Sequence, residues 1–342
     1  MTPSNLPSGP AVRPRRLRLT AAIRTMVRET QLEPSDLIYP LFVRPGHELR
    51  QEVRSMPGVY QWSVDRVGLE AREIASLGIK AVLLFGIPRV KDAVGRESFA
   101  ADGTVQQAIH EIKQAAPGLV VITDVCLCEY TDHGHCGLLN TGHPRPNPHL
   151  PEAYVLNEPT LYVLGKVAVS HAQAGADLVA PSCMLDGTVA ALRGALDAAE
   201  FEHVAVVPYA AKYASCFCGS VMEASETAPK SGDRKSHQLD MANAREALQS
   251  TAQAVTEGAD LILIEPALPC LDIVQRVRAA HPLLPVAAFH ASGEYAMLKA
   301  AAANGWLDER AAVLETLTAI RRAGADLVVT YHAKDAARWL SA

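Results

Sequence analysis

Several features are missing from this 342-residue sequence, and each absence closes off a reading. No apolar run approaches the roughly 18 residues that a bilayer-spanning helix needs, and stretches such as Ala81 to Gly86 are typical of the longest. No signal-peptide core follows Met1, so a soluble, cytoplasmic chain without membrane partners is expected. The seven cysteines are an odd number, and without a secretory signal they read as thiols, ligands or core residues rather than a disulfide framework. No Gly-rich dinucleotide fingerprint or phosphate loop follows the first candidate strand. Finally, no acid occurs in residues 1–28, which hold Arg13, Arg15, Arg16, Arg18, Arg24 and Arg28. The formal charge of −5 therefore hides a cationic head on a body that sets 26 of the 32 basic residues against all 37 acidic ones. Such a head reads as a transit peptide, a solvated tail, a nucleic-acid arm or an arm that docks on the acidic body of a sister subunit. With no aromatic before Tyr39 to stack on bases, a nucleic-acid partner is not expected, and docking within a homo-oligomer is.

What is present is a regular alternation. Apolar or β-branched runs occur at Leu37 to Val43, Ala81 to Gly86, Val120 to Cys126, Leu178 to Ser182, Ala205 to Lys212, Leu261 to Ala267, Val286 to Ser292 and Leu327 to His332. Between them lie stretches with apolar residues at spacings of three and four, such as Val64 to Leu77, Thr160 to Ala174, Met241 to Glu257 and Glu309 to Ala323. Three of these end in the same unit: Gly175-Ala176-Asp177, Gly258-Ala259-Asp260 and Gly324-Ala325-Asp326, where glycine can take the left-handed conformation that stops a helix. Eight βα units predict an α/β fold, a (β/α)8 (TIM) barrel over residues 35–342, preceded by an N-terminal arm, 1–34. In such barrels chemistry sits at the C-terminal ends of the strands, and there this chain places Asp124, Cys126, Cys183, Lys212, Glu265, Ser292 and Tyr331.

Two of these positions suggest specific chemistry. Cys126, Cys128 and Cys136, with His133 and His135 between them, put five metal-ligating side chains within eleven residues of a strand end. Three ligands with an open fourth position would be a catalytic zinc arrangement, although the spacing is no generic zinc signature and clustered buried thiols remain the other reading. Cys183, Cys216, Cys218 and Cys270 read as packing residues. Lys212 closes an apolar strand, where it is either an imine-forming nucleophile or a lysine paired with a carboxylate at the rim. The polar stretch from Glu223 to Lys235 reads as part of a mobile lid over residues 218–236.

Together these residues resemble the porphobilinogen synthase (5-aminolevulinate dehydratase) family. The resemblance runs from Arg15 to Leu340 and includes Ile122-Thr123-Asp124-Val125-Cys126-Leu127-Cys128, His133-Gly134-His135-Cys136-Gly137, Gly232-Asp233-Arg234-Lys235-Ser236 and Ser292-Gly293-Glu294-Tyr295. It implies a (β/α)8 barrel assembled into octamers, or a smaller assembly of dimers, through an N-terminal arm. It also implies condensation of two 5-aminolevulinate molecules held as Schiff bases on two lysines. Matched residue by residue, it assigns Zn2+ to Cys126, Cys128 and Cys136, a catalytic carboxylate to Asp124 and an imine to Lys212. One substrate carboxylate falls to Arg234 and Gln238, the other to Ser292 and Tyr331, and a Mg2+ at a subunit interface is compatible.

The chain departs from that pattern inside the site. Ile264-Glu265-Pro266 stands where the family carries its second lysine, and Cys218-Gly219-Ser220-Val221-Met222-Glu223 replaces a stretch with a tyrosine and an arginine. Thr188 stands for another arginine, His237 and His332 for tyrosines. A carboxylate beside Lys212 favours its charged form, opposite to what a second ammonium does. Erosion of an unused site would spare none of its members, yet Asp124, the cysteines, Lys212, Arg234, Ser292 and Tyr331 remain. The expectation is a zinc enzyme joining or dehydrating 5-aminolevulinate or a related amino-keto acid through one imine on Lys212, with Glu265 moving protons. The alternatives are an ordinary porphobilinogen synthase of tetrapyrrole biosynthesis, or a non-catalytic binding oligomer.

Overall fold

The computed structural model describes residues 12–341. Two units are distinguished, a head ending at Gln31 and a main unit from Leu32. Of the expected arm, residues 1–11 lie outside the described residues. The remainder of the head forms a 3-10 turn, Pro14–Arg18, and a short helix, Ala21–Met26, whose first turn is capped by Thr20 Oγ1 accepting from Ile23 N at 3.2 Å. Neither element contains a buried residue.

In the main unit the strands are β1 (Leu37–Arg44), β2 (Arg50–Glu52), β3 (Tyr60–Ser63), β4 (Ala81–Gly86), β5 (Val120–Val125), β6 (Leu178–Pro181), β7 (Ala205–Val206), β8 (Tyr209–Lys212), β9 (Ile262–Glu265), β10 (Val286–His290) and β11 (Leu327–Thr330). All eight expected runs are strands, and β2 with β3 add an antiparallel pair beside β1. The parallel sheet runs β7-β6-β5-β4-β1-β11-β10-β9-β8. Its two ends, β7 and β8, are halves of one expected strand, parted where Pro208 has no N–H to give a ladder. Val207 N still reaches Val179 O at 2.8 Å, and Leu263 N reaches Pro208 O at 2.9 Å, so the ends of the path meet and the barrel closes.

Alternation along the strands separates two apolar layers. Phe42, Leu83, Phe85, Ile122, Tyr209, Leu263, Phe289 and Tyr331 fill the barrel interior. Their neighbours Leu41, Val82, Leu84, Val121 and Ile264 face outward onto helices, meeting Ile74, Ile109, Leu164, Val274 and Leu317. Each such large side chain contributes roughly 1.5–3 kcal/mol by leaving water. Helix Val64–Ser76 buries Val67, Ala71 and Ile74, and Glu309–Ala323 buries Val313, Leu317 and Ile320, the three-and-four spacing expected of them. The helix expected from Met241 begins later, at Ala244, because Asp240 and Asn243 fold the intervening residues into a turn, with Ala242 N donating to Asp240 Oδ1 at 2.9 Å.

The repeated Gly-Ala-Asp unit has a second purpose. Gly175, Gly258 and Gly324 do take positive φ, at 104°, 100° and 124°. The aspartates then lock strand starts: Asp177, Asp260 and Asp326 accept at Oδ2 from Val121, Val206 and Val286 N at 2.7, 2.8 and 2.8 Å. This seam binds the N-terminal rim, opposite the mouth where the chemistry-bearing residues gather.

Candidate active site

Inward alternation carries Asp124, Glu265 and Tyr331 into the mouth, each two residues beyond an interior apolar residue of its strand. Lys212 gets there differently. The register of β8 against β9 slips between Tyr209 and Ala211, so that Tyr209 faces Leu263, Ala211 faces Ile264 and Lys212 faces Glu265. An extra residue in one strand re-aims every side chain after it, and here it lays the ammonium beside the carboxylate. Lys212 Nζ is 2.9 Å from Glu265 Oε2, an ion pair in contact but off the line of a good hydrogen bond, and 4.5 Å above the Tyr209 ring. Of the two sequence readings of Lys212, the structure forms the carboxylate pair, which leaves the nucleophile as a question of proton transfer.

The electrostatics follow from burial. Desolvation works against the Lys212 ammonium, but Glu265 and then Asp124 outweigh it and hold the proton more firmly than on an ordinary lysine. Asp124 is pushed well above the usual carboxylate range, first by burial and next by Glu129, against the pull of Lys212 and a hydrogen bond to Ser182. Its Oδ1 is buried without a partner, as are the hydroxyls of Tyr209 and Tyr331. Tyr331 is wedged among rings, 5.9 Å from Phe289, 6.0 Å from Phe42 and 5.8 Å from Tyr295 by centroids.

The three cysteines converge at the same rim. Cys126, Cys128 and Cys136 are buried with their sulfurs within 4.8 Å of one another, Cys126 and Cys128 at 3.3 Å. A tetrahedral zinc with bonds of about 2.3 Å needs sulfurs roughly 3.8 Å apart, so the donor set fits with small adjustment. On Cys128, Cys126 raises the thiol, Cys136 lowers it and burial tips the balance upward, so a metal would have to displace protons. Glu129 was not anticipated: its Oε2 lies 3.3 Å from Cys128 Sγ, and it groups with Asp124 and Cys126. Glu309, His332 and Asp335 also cluster, but Lys299 Nζ, 2.5 Å from Glu309 and 3.4 Å from Asp335, already supplies a cation there.

The segment expected to act as a lid packs against the rim. Helix Gly219–Ala224 is followed by a stretch that pairs with the cysteine loop, with Lys230 N to His133 O at 3.1 Å and His135 Nε2 to Ser231 O at 2.8 Å. Arg234 joins the two, donating through Nη2 to Thr227 O at 2.6 Å and Gly134 O at 3.2 Å, and its Nε is buried and free. Gln238 is buried beside it, its N on Arg234 O. His237 is pushed down to about 4 by burial and by Arg234, so it is neutral near pH 7. Ser292 engages the start of the lid, accepting from Val221 N at 2.9 Å and donating to Phe217 O at 3.2 Å. The approach is tight enough that a Cβ on Gly293 would meet Phe217 Cα at 2.7 Å.

Two cysteines depart from their reading as packing residues, Cys216 by its exposure and Cys218 by its contact. Cys183 and Cys270 are buried, and Cys216 is exposed, but Cys218 is no packing residue: its Sγ lies 3.4 Å from Glu265 Oε1. Nothing local in the sequence signals this contact between positions 218 and 265.

The comparisons with known proteins agree with this geometry. A family model described as delta-aminolevulinic acid dehydratase matches residues 11–339. The delta-aminolevulinic acid dehydratase of Synechocystis sp. (strain ATCC 27184 / PCC 6803 / Kazusa) is 53% identical over 331 residues, covering 97% of this chain and 99% of that protein. The enzyme of that name from Halalkalibacterium halodurans is 53% identical over 329 residues, with 96% and 97% covered. Among solved structures, the delta-aminolevulinic acid dehydratase (porphobilinogen synthase) of Toxoplasma gondii ME49, in complex with its reaction product porphobilinogen, superposes with a TM-score of 0.91 at 40% identity, covering 97% of this chain and 92% of that one. Among the described residues, no helix is long and apolar enough to cross a membrane.

Proposed function

Because this chain belongs to the delta-aminolevulinic acid dehydratase family, a family of lyases in tetrapyrrole biosynthesis, we propose that it condenses two 5-aminolevulinate molecules into porphobilinogen with release of two waters, Lys212 forming the imine. The observation that carries this reading is the in-register Lys212 and Glu265 pair at the barrel mouth, beside Asp124 and the thiol trio.

The pair can form an imine without an outside base. Glu265 takes one proton from the Lys212 ammonium as the substrate carbonyl approaches, and the freed amine adds to the carbonyl carbon. The carbonyl oxygen, taking a proton from the nitrogen that has added, becomes the carbinolamine hydroxyl. Glu265 returns its proton to that hydroxyl, which leaves as water, and the protonated imine remains beside the carboxylate anion. The net change is an ammonium and a ketone to an iminium and water. Glu265 thus acts as base, acid and counter-ion in turn. Asp124, whose carboxyl burial pushes well above the usual carboxylate range, would move a proton at the second substrate. Zn2+ held by Cys126, Cys128 and Cys136 supplies Lewis acidity toward a carbonyl or water when bound. Arg234 Nε, Gln238 and the Tyr331 hydroxyl are free to hold substrate carboxylates, whereas Ser292 becomes free only when the start of the lid shifts, which fits a lid that opens.

A second reading is favoured by one observation: among the described residues, no barrel strand carries a lysine besides Lys212, and Glu265 occupies the neighbouring position. On it, the partner is a related amino-keto acid that needs no imine of its own. Zinc-replete enzyme given 5-aminolevulinate should yield a pyrrole detectable by a colour reaction, and borohydride should trap an adduct that peptide mapping places on Lys212. Adduct without pyrrole selects the second reading; no adduct with any amino-keto acid sinks both.

A further inference from the structure

Glu265 has two oxygens and two partners. Oε2 contacts the Lys212 ammonium at 2.9 Å, and Oε1 receives the Cys218 thiol at 3.4 Å, within range for a bond from sulfur. The carboxylate is 2% exposed, so no water shell orients it, and its geometry is set by these two neighbours. Cys218 lies in the 3-10 turn Cys216–Cys218, immediately before helix Gly219–Ala224 at the start of the lid, and Ser292 clasps the backbone on both sides of it at Phe217 and Val221. The thiol is therefore fixed by the closed lid and aimed at the acid–base group of the barrel. The fold brings positions 218 and 265 into contact across 47 residues of sequence.

We propose that Cys218 is a positioning residue: with the lid down, its thiol pins Glu265 Oε1 so that Oε2 faces Lys212, which ties proton transfer at the imine-forming lysine to lid closure. The inference rests on the single-imine reading above. A carboxylate held at one oxygen keeps the other in contact with the ammonium, and proton transfer between the two needs that contact. With the thiol removed, Oε1 loses its partner and the carboxylate gains a rotation that carries Oε2 away from the amine.

The test is the rate of borohydride-trappable adduct formation on Lys212 of the full-length protein with 5-aminolevulinate. It is measured for wild type, Cys218→Ala, Cys218→Ser, Glu265→Gln and the double variant Cys218→Ala/Glu265→Gln, with turnover kinetics alongside. Cys218→Ala should slow trapping and kcat by about tenfold with KM within about twofold, and Cys218→Ser, which retains a donor, should recover to within about threefold of wild type. In the Glu265→Gln background Cys218→Ala should cost nothing further, because the thiol acts only through the carboxylate. Equal rates for wild type and Cys218→Ala overturn the inference and leave the imine mechanism standing. A slow Cys218→Ser, or an undiminished Cys218→Ala effect without Glu265, also overturns it, since the side chain would then only fill space. No adduct in wild type overturns the imine mechanism and this inference together.

Discussion

The two rims of the barrel are built from the same residue types and end in opposite states. At the N-terminal rim each repeated aspartate is engaged: Asp177, Asp260 and Asp326 hold an N–H at the start of a neighbouring strand, and Asp177 and Asp326 also pair with Lys113 and Arg278. At the mouth Asp124 Oδ1, Arg234 Nε and the hydroxyls of Tyr209 and Tyr331 are buried with nothing to bond. A buried polar atom without a partner costs roughly 1–3 kcal/mol, so folding alone would not retain four of them together. One rim is arranged for stability and the other for an incoming molecule.

Removing Lys212 should give the largest effect. Lys212→Met is expected to abolish the borohydride adduct and lower turnover by about a thousandfold or more, and to destabilise the fold by roughly 3 kcal/mol because Glu265 is left buried without a cation. Lys212→Met/Glu265→Leu should regain that stability in urea denaturation and stay inactive; a double variant no more stable than the single one would mean that the mouth pair supports the fold as the N-terminal rim does. Next comes the metal. Stripping the protein with a chelator should lower turnover by about a hundredfold or more, reversibly with Zn2+, and metal analysis should find about one ion per chain in wild type and none in Cys128→Ala.

Acid should also distinguish the layers. Burial lowers His171 and His290 to about 3, and His332, buried near His290 and Lys299, to about 2. Their folded values lie below the ordinary value of about 6.5, so the stability from their neutral rings is present above pH 6.5 or so and is lost as pH falls from there toward 3. Each should contribute a slope of about 1.4 kcal/mol per pH unit, and His332→Phe should remove one such slope between pH 6 and 4 in denaturation experiments. An unchanged slope would assign the acid sensitivity elsewhere. The smallest effect belongs to the N-terminal rim. Asp260→Ala, which frees Val206 N, should cost about 1–2 kcal/mol while turnover per folded molecule stays at the wild-type level; a loss of turnover would show that the two rims are not independent.

Local patterns were the legible part of this protein. The strand runs, helix spacings and glycine stops sit within a few residues of one another, and backbone sterics and burial act on them directly. So do the three thiols, which share one loop after β5, and the placement of Lys212 at a strand end. The aspartate after each glycine was visible as a repeat, but its partner was not, because Val121, Val206 and Val286 lie 40 to 56 residues away.

Tertiary structure decided the chemistry at the mouth. Lys212 and Glu265 were both expected there, yet their facing in register depends on one slipped residue between Tyr209 and Ala211. The thiol of Cys218 against Glu265 and the clasp of Ser292 on Phe217 and Val221 depend on strand order and lid packing together. Sequence determined which groups this protein owns and which end of the barrel receives them, since both follow from short-range periodicity. Which group touches which is a through-space property: a slip of one residue turns a side chain from one neighbour to another, and only the closed barrel fixes that slip.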